Sequence, residues 1–335
     1  MNWLAWTGLV LAGVVVAALA GAVGVIVRRA WQAAYRMLHP RDGAAPPDGQ
    51  QSAAARSGGV PSAAVLRDGL GTLDLRIRSS LDGTELAVSF VPGQGPHVVV
   101  VAHPLGQDRG WMAGHVRVLH QAGYHVVAYD QRNHGESGDD PAAFGRARAT
   151  SGDLEDVIRL AAARPECAGG RIGLFAMSFT CWPAFGFATR PGLVDAVVCD
   201  SGPALGLAGS FGRALALRRP LLPRELRAAI PYRAFHAAFR LCAVRMLGAR
   251  GWPPAADRVR VPVLIIAGEG DPLIPVRELR ATADRYRRAE LWVAPRAKHN
   301  RALRVHPDEY AARVAAFFDG VFAAGPAAVR AGRDG

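Results

Sequence analysis

Lysine is almost missing from this chain. Of its 40 lysines and arginines only Lys298 is a lysine, so arginine carries the formal charge of +12. Arginine standing in for lysine throughout an Ala- and Gly-rich chain reads as compositional bias. No basic cluster alternates with aromatics in the way that stacks and neutralises a nucleic acid, so no nucleic-acid partner is expected. Cysteine is scarce too. Cys167, Cys181, Cys199 and Cys242 show neither paired nor metal-like spacing, which excludes a disulfide framework and a structural zinc site. Cys181 and Cys199 fall in expected core segments, where a free thiol packs as a small apolar group. The sequence lacks an HExxH motif or a His-Asp cluster at metal spacing, against a metal hydrolase. It also lacks an unbroken GxGxxG fingerprint in the early strand–helix turn, against a dinucleotide enzyme. No cofactor and no metal are expected, and no internal repeat is present.

Charge is absent from residues 3–27, where Leu, Val, Ala and Gly dominate. At about 1.5 Å rise per residue such a helix crosses the ~30 Å hydrocarbon core of a bilayer with some tilt. Trp3 and Trp6 at one end and Trp31 and Tyr35 at the other fit interfacial aromatic belts. "ALAG" at residues 18–21 offers the cleavage site of a signal peptide, but the segment has no basic n-region and its apolar run is too long. Arg28, Arg29 and Arg36 follow the span and no basic side chain precedes it, which puts the C-terminal side in the cytoplasm. The expectation is a single-pass membrane anchor over residues 1–40, then a flexible linker over 41–66, rich in Pro, Gly, Ala and Gln and without apolar periodicity.

From about Leu70 the pattern changes. "LDLRIRSS" and "ELAVSFV", joined by "LDGT", read as an antiparallel hairpin. "HVVVVAH", "HVVAYD", "RIGLFA", "VDAVVCD" and "VPVLIIAG" are apolar at nearly every position, as strands buried on both faces require. Helical stretches alternate with them, and "AELWVAP" and "PDEYAARVAAFFDGVF" supply a last strand and helix. The expected fold is α/β, a mainly parallel sheet with helices on both faces, over residues 67–325. The alternation fails once: residues 201–258 contain no convincing strand and read as a helical cap over the C-terminal edge of the sheet, where open α/β sheets bind ligands. Residues 326–335 read as a disordered tail.

Four features fall on strand ends along that edge: "AHPLG" (102–106), "YDQRNHGESG" (129–138), Ser178 in "GLFAMSFTCW", and Asp271 in "AGEGDPLIP". His299 follows the last strand, 28 positions after Asp271. Serine, acid and histidine in that chain order match the triad order of this fold type. On these motifs the chain resembles the α/β-hydrolase superfamily over about residues 70–322, most specifically in "DQRNHGESG", which is similar to the superfamily's D-x-R-G-x-G-x-S loop. The anchor with a compact domain is similar to membrane-tethered bacterial serine hydrolases. The resemblance implies an acyl-transfer site with Ser178 as nucleophile, His299 as base and Asp271 as orienting acid, and the N–H groups of Leu105 and Phe179 as oxyanion donors. The implied substrate is a small-molecule or lipid-derived ester or thioester, met at the membrane.

The serine corner departs from the Gly-x-Ser-x-Gly pattern, with Ala176 and Thr180 in place of the glycines. Alanine costs little, but β-branched Thr180 must fit against the neighbouring strand. That departure keeps a second reading open, a non-catalytic binding protein of the same fold. Asp200, ending the sixth strand, is the rival acid. His306, beside Pro307, reads as a helix boundary, His134 as support for the fourth-strand loop, and His103 as shaping the oxyanion loop.

Overall fold

The computed structural model describes residues 3–40, 64–67 and 69–324. Its centre is an eight-stranded sheet of order β1-β2-β4-β3-β5-β6-β7-β8. The strands are β1 (Leu73–Arg78), β2 (Glu85–Val91), β3 (Val98–Ala102), β4 (His125–Tyr129), β5 (Ile172–Met177), β6 (Ala196–Asp200), β7 (Val263–Gly268) and β8 (Ala289–Ala294). The β1–β2 hairpin and the β2–β4 pair are antiparallel, and every pair from β4 to β8 is parallel.

Strand periodicity of two sends alternate residues to opposite faces. Val98, Val100 and Ala102 join one core, and Val99 and Val101 the other. Leu174 and Ala176 likewise oppose Phe175 and Met177, which is why these strands read as unbroken apolar runs. Helices α2 (Ala113–Gln121) and α8 (Pro307–Ala323) cover one face, through residues such as Val116, Leu119, Tyr310 and Phe318. Helices α3 (Arg146–Ala162), α4 (Cys181–Phe187) and α7 (Val276–Arg285) cover the other. Between β6 and β7 the chain is helical, with α5 (Leu207–Leu217) and α6 (Ala229–Leu247) forming the expected cap.

The N-terminal helix α1 (Trp3–Leu38) is longer than its apolar segment. Its apolar part is exposed, with Val10, Leu19 and Val25 among the uncovered side chains. Past Arg28 and Arg29 the helix continues and presents a stripe at helical spacing, Ala30, Ala34, Met37 and Leu38, that is buried in the core. The main partner of α1 is the cap helix α6. The Tyr35 hydroxyl donates to the Pro141 carbonyl at 3.1 Å, and the His39 ring Nε2 lies 3.2 Å from the Ala142 carbonyl. The anchor region and the hydrolase domain, expected as units joined only by a linker, therefore share a core. Most of that linker lies outside the described residues, as does the expected tail. The linker's last residues enter a helical turn, Ala64–Arg67, with Leu66 fully buried.

Candidate active site

β5 ends at Met177, and the chain turns into helix within one residue. Ser178 occupies that corner with φ of 55°, a left-handed conformation that costs a non-glycine residue energy and is held only where the surroundings impose it. The small Ala176 pairs with Ala102 and Cys199 on the flanking strands. The close approach also depends on Gly202 of the next loop, where a Cβ would stand 2.8 Å from the Ser178 carbonyl oxygen and 2.9 Å from the Cys181 Cβ. A glycine needed for close packing at this corner thus lies after β6.

Thr180 is accommodated by bonding. Its fully buried hydroxyl accepts the Met177 N–H at 3.1 Å. Its one proton is within reach of the Ala102 carbonyl at 3.0 Å and the Met177 carbonyl at 3.0 Å. The first contact caps the new helix as an N3 side chain returning to the N-cap N–H, and the Ala102 contact ties the corner to the end of β3. The concern that its bulk disrupts the turn is answered by this arrangement.

Ser178 Oγ lies 2.7 Å from His299 Nε2, and His299 Nδ1 lies 2.6 Å from Asp271 Oδ2. With the proton on Nδ1, His299 donates to Asp271 and keeps Nε2 as acceptor for the serine proton. Asp271 Oδ1 accepts the N–H groups of Leu273 at 2.7 Å and Ile274 at 2.9 Å, so the loop after β7 fixes the carboxylate. Asp271 and His299 are buried.

Asp200 has other partners. Its carboxylate accepts from Ser201 Oγ at 2.8 Å and from the Tyr310 hydroxyl at 2.7 Å, and Ser201 Oγ accepts the Asn300 N–H at 3.0 Å. Full burial pushes the Asp200 carboxyl up to about 6, against the pull of those hydrogen bonds. Asp200 therefore braces the backbone beside His299, and Asp271 is the carboxylate on the imidazole. Nothing in the strand pattern marked Ser201 or Tyr310 as its partners.

Leu105 and Phe179 face the same space as Ser178, and neither N–H meets a protein acceptor among the described residues. The orientation of the Leu105 amide has a visible cause. The fully buried His103 lies with Nδ1 2.9 Å from the Pro104 carbonyl, while its Nε2 accepts the Gln131 N–H at 3.0 Å. The carbonyl and N–H of one planar peptide point opposite ways, so holding the Pro104 carbonyl turns the Leu105 N–H away from it. Burial holds the His103 imidazole below its ordinary range and so neutral. His134 Nε2 accepts the Gly106 N–H at 3.0 Å, and His306 Nε2 donates to the Pro295 carbonyl at 2.7 Å. All three histidines are thus structural supports.

The "DQRNHGESG" loop is a rigid frame for these supports. The Asp130 carboxylate accepts the N–H groups of Arg109 at 2.6 Å and Glu136 at 2.8 Å and pairs with the buried Arg109 guanidinium. Gly135 touches Asp130 so closely, with φ of 47°, that a Cβ there would fall 2.1 Å from a carboxylate oxygen. Arg132, also buried, pairs with Asp153, Asp82 and Asp140 at 2.6, 2.7 and 2.9 Å.

A cavity partly open to solvent lies between this corner and the cap. Apolar side chains line it, including Trp182, Phe211, Leu247 and Ile274. Met37 of α1 also lines it, a residue overlooked in the sequence. The signal available was the stripe of Ala30, Ala34 and Met37, which keeps helical spacing beyond the charge boundary.

The sequence profile of the Alpha/beta hydrolase family matches residues 90–313. Among solved structures, the Pyrococcus furiosus esterase Pf2001 superposes with a TM-score of 0.61 at 24% identity, over 75% of this chain and 91% of that one. A thermophilic esterase from Thermogutta terrifontis, in a malate-bound structure, gives 0.53 at 20% identity, over 75% and 99%. A serine hydrolase involved in carbazole degradation gives 0.53 at 18%, over 74% and 99%. No curated protein matches the sequence. With the profile spanning most of the chain on this sheet, the protein belongs to the alpha/beta hydrolase family and is a hydrolase.

Proposed function

We propose that the protein is a membrane-anchored serine hydrolase that cleaves an ester or thioester of apolar, lipid-derived character through an acyl-enzyme. The observation that carries this reading is the hydrogen-bonded chain from Ser178 through His299 to Asp271. A serine hydroxyl is a weak nucleophile until a base takes its proton, and the base needs a carboxylate to fix its tautomer and stabilise its charged form. In the proposed step His299 Nε2 removes the Ser178 proton as Oγ attacks the substrate carbonyl. The resulting oxyanion accepts from the Leu105 and Phe179 N–H groups, and loss of one such donor costs roughly 100- to 1000-fold in rate. His299 then protonates the leaving alkoxide or thiolate. A water, deprotonated by the same nitrogen, next attacks the acyl-serine, releasing the acid and restoring Ser178.

The apolar cavity supports an apolar acyl or alcohol portion. The exposed apolar length of α1 supports anchoring in a bilayer, and the arginines after it support a cytoplasmic hydrolase domain. The non-catalytic alternative rested on Thr180, and the hydrogen bonds that seat its hydroxyl in the corner support the catalytic reading over it. The test is labelling of the purified full chain with a fluorophosphonate, which reports an activated serine. Wild type is expected to label and Ser178→Ala is expected not to. A wild type that stays folded yet unlabelled, or equal labelling of both chains, would sink the reading.

A further inference from the structure

We infer that the distal tip of the cap, residues 217–233, is a lipid-binding surface that enters the interface of an anionic bilayer alongside α1. The inference rests on the anchor reading above and adds a second membrane contact to it.

The tip exposes large apolar side chains among its charged ones. Ile230 is 81% exposed, Leu221 79% and Leu217 44%. The charge around them has one sign: residues 217–233 contain five arginines and one acid, Glu225. Arg219, Arg224, Arg227 and Arg233 are all exposed. Exposed apolar side chains with exposed arginines on the same segment match a bilayer surface, where the chains bury and the guanidinium groups stay at the phosphates. A protein partner offering both an apolar slot and four acids could be imagined, but position decides for the bilayer.

That position follows from how the helices run. Met37 near the end of α1 and Leu247 at the end of α6 line the same cavity, and the two helices pack along each other, so they point the same way. α5 runs back along α6, with the Arg240 Nε donating to the Ala208 carbonyl and His236 beside the Gly212 carbonyl. Its far end, and the tip that follows, therefore lie at the start of α6, away from the sheet. From Leu247 to Ile230 is about 26 Å along α6, at ~1.5 Å per residue. The same distance back from Met37 along α1 arrives near Ala20, within the charge-free segment that ends at Val27. A bilayer that holds this segment meets the tip at the same depth.

The test uses full-length protein with Cys242→Ala, leaving only buried native thiols, in phosphatidylcholine–phosphatidylglycerol vesicles. An environment-sensitive fluorophore is placed by Ile230→Cys, Leu19→Cys or Ala168→Cys, and lipids brominated in their acyl chains serve as quencher. Labels at 19 and 230 are expected to be quenched several-fold more than at 168, which is exposed at the opposite edge of the sheet. Quenching at 19 without quenching at 230 overturns the tip and leaves the anchor standing. Quenching at neither position overturns the anchor and the tip with it. In a second test, Leu221→Asp combined with Ile230→Asp is expected to slow hydrolysis of an ester dissolved in those vesicles several-fold and leave a water-soluble ester unaffected. Unchanged turnover of the vesicle-borne ester also overturns the inference.

Discussion

Replacing Thr180 separates the effect of its hydroxyl from the effect of its bulk. From the sequence, Thr180→Gly relieves crowding beside the corner at a small backbone cost. The structure makes that cost larger. The hydroxyl accepts one N–H and donates to one carbonyl in a site without solvent, and each buried bond is worth about 1 kcal/mol. Losing the methyl group and leaving a small void costs about 1 kcal/mol more, and glycine in a helix start adds roughly 0.5 to 1 kcal/mol. Thr180→Gly should therefore destabilise the fold by about 3 to 4 kcal/mol. Thr180→Val, which keeps the volume, should cost about 2 kcal/mol, and Thr180→Ser, which keeps the hydroxyl, about 1 kcal/mol. Urea unfolding of the three variants in detergent measures the order. Because the bond to Ala102 joins the corner to the strand leading into Leu105, Thr180→Val should also lower kcat more than it raises KM. If Thr180→Val unfolds at the wild-type midpoint, the hydroxyl is not part of what holds the corner.

Asp271→Asn should cut kcat by several orders of magnitude, by presenting the wrong imidazole tautomer, whereas Asp200→Asn should leave most of the activity; steady-state kinetics on one ester decides between the two acids. Asp200 also carries a pH signature. Its carboxyl sits at about 6 in the folded chain against roughly 4 unfolded, so its stabilisation is complete below about pH 4 and is lost as pH rises through about 6. The stability of wild type relative to Asp200→Asn should then fall by about 3 kcal/mol between those limits, measured by unfolding at several pH values. A chain beginning at Arg28 should be more stable than one beginning at Ala64, since Met37 and Leu38 alone each bury about 1.5 to 3 kcal/mol of apolar surface; equal melting temperatures would mean the stripe adds nothing. Met37→Trp, on the cavity wall, should shift the preferred ester toward shorter acyl chains in a panel of chain lengths.

Much of this protein is decided by local pattern. Strands buried on both faces must be apolar throughout, and amphipathic helices must alternate with them, so the parallel sheet and the strandless cap are legible in one dimension. The charge-free run before Arg28 is equally local. So were Ser178, Asp271 and His299, because strand ends place loops on one edge and the chain order of the three limits their roles. Other properties depend on residues distant in sequence. Whether Asp271 or Asp200 meets the imidazole depends on how three loops pack together. Thr180 reads as a defect until Ala102, 78 positions away, supplies its acceptor. Gly202 reads as an ordinary loop residue until its distance from Ser178 is known. The role of α1 is the largest case. The sequence marks where its charge begins and thus where its long apolar segment ends. It cannot say that the helix continues, because Ala30, Ala34, Met37 and Leu38 gain their burial only from a cap helix encoded some 200 residues later.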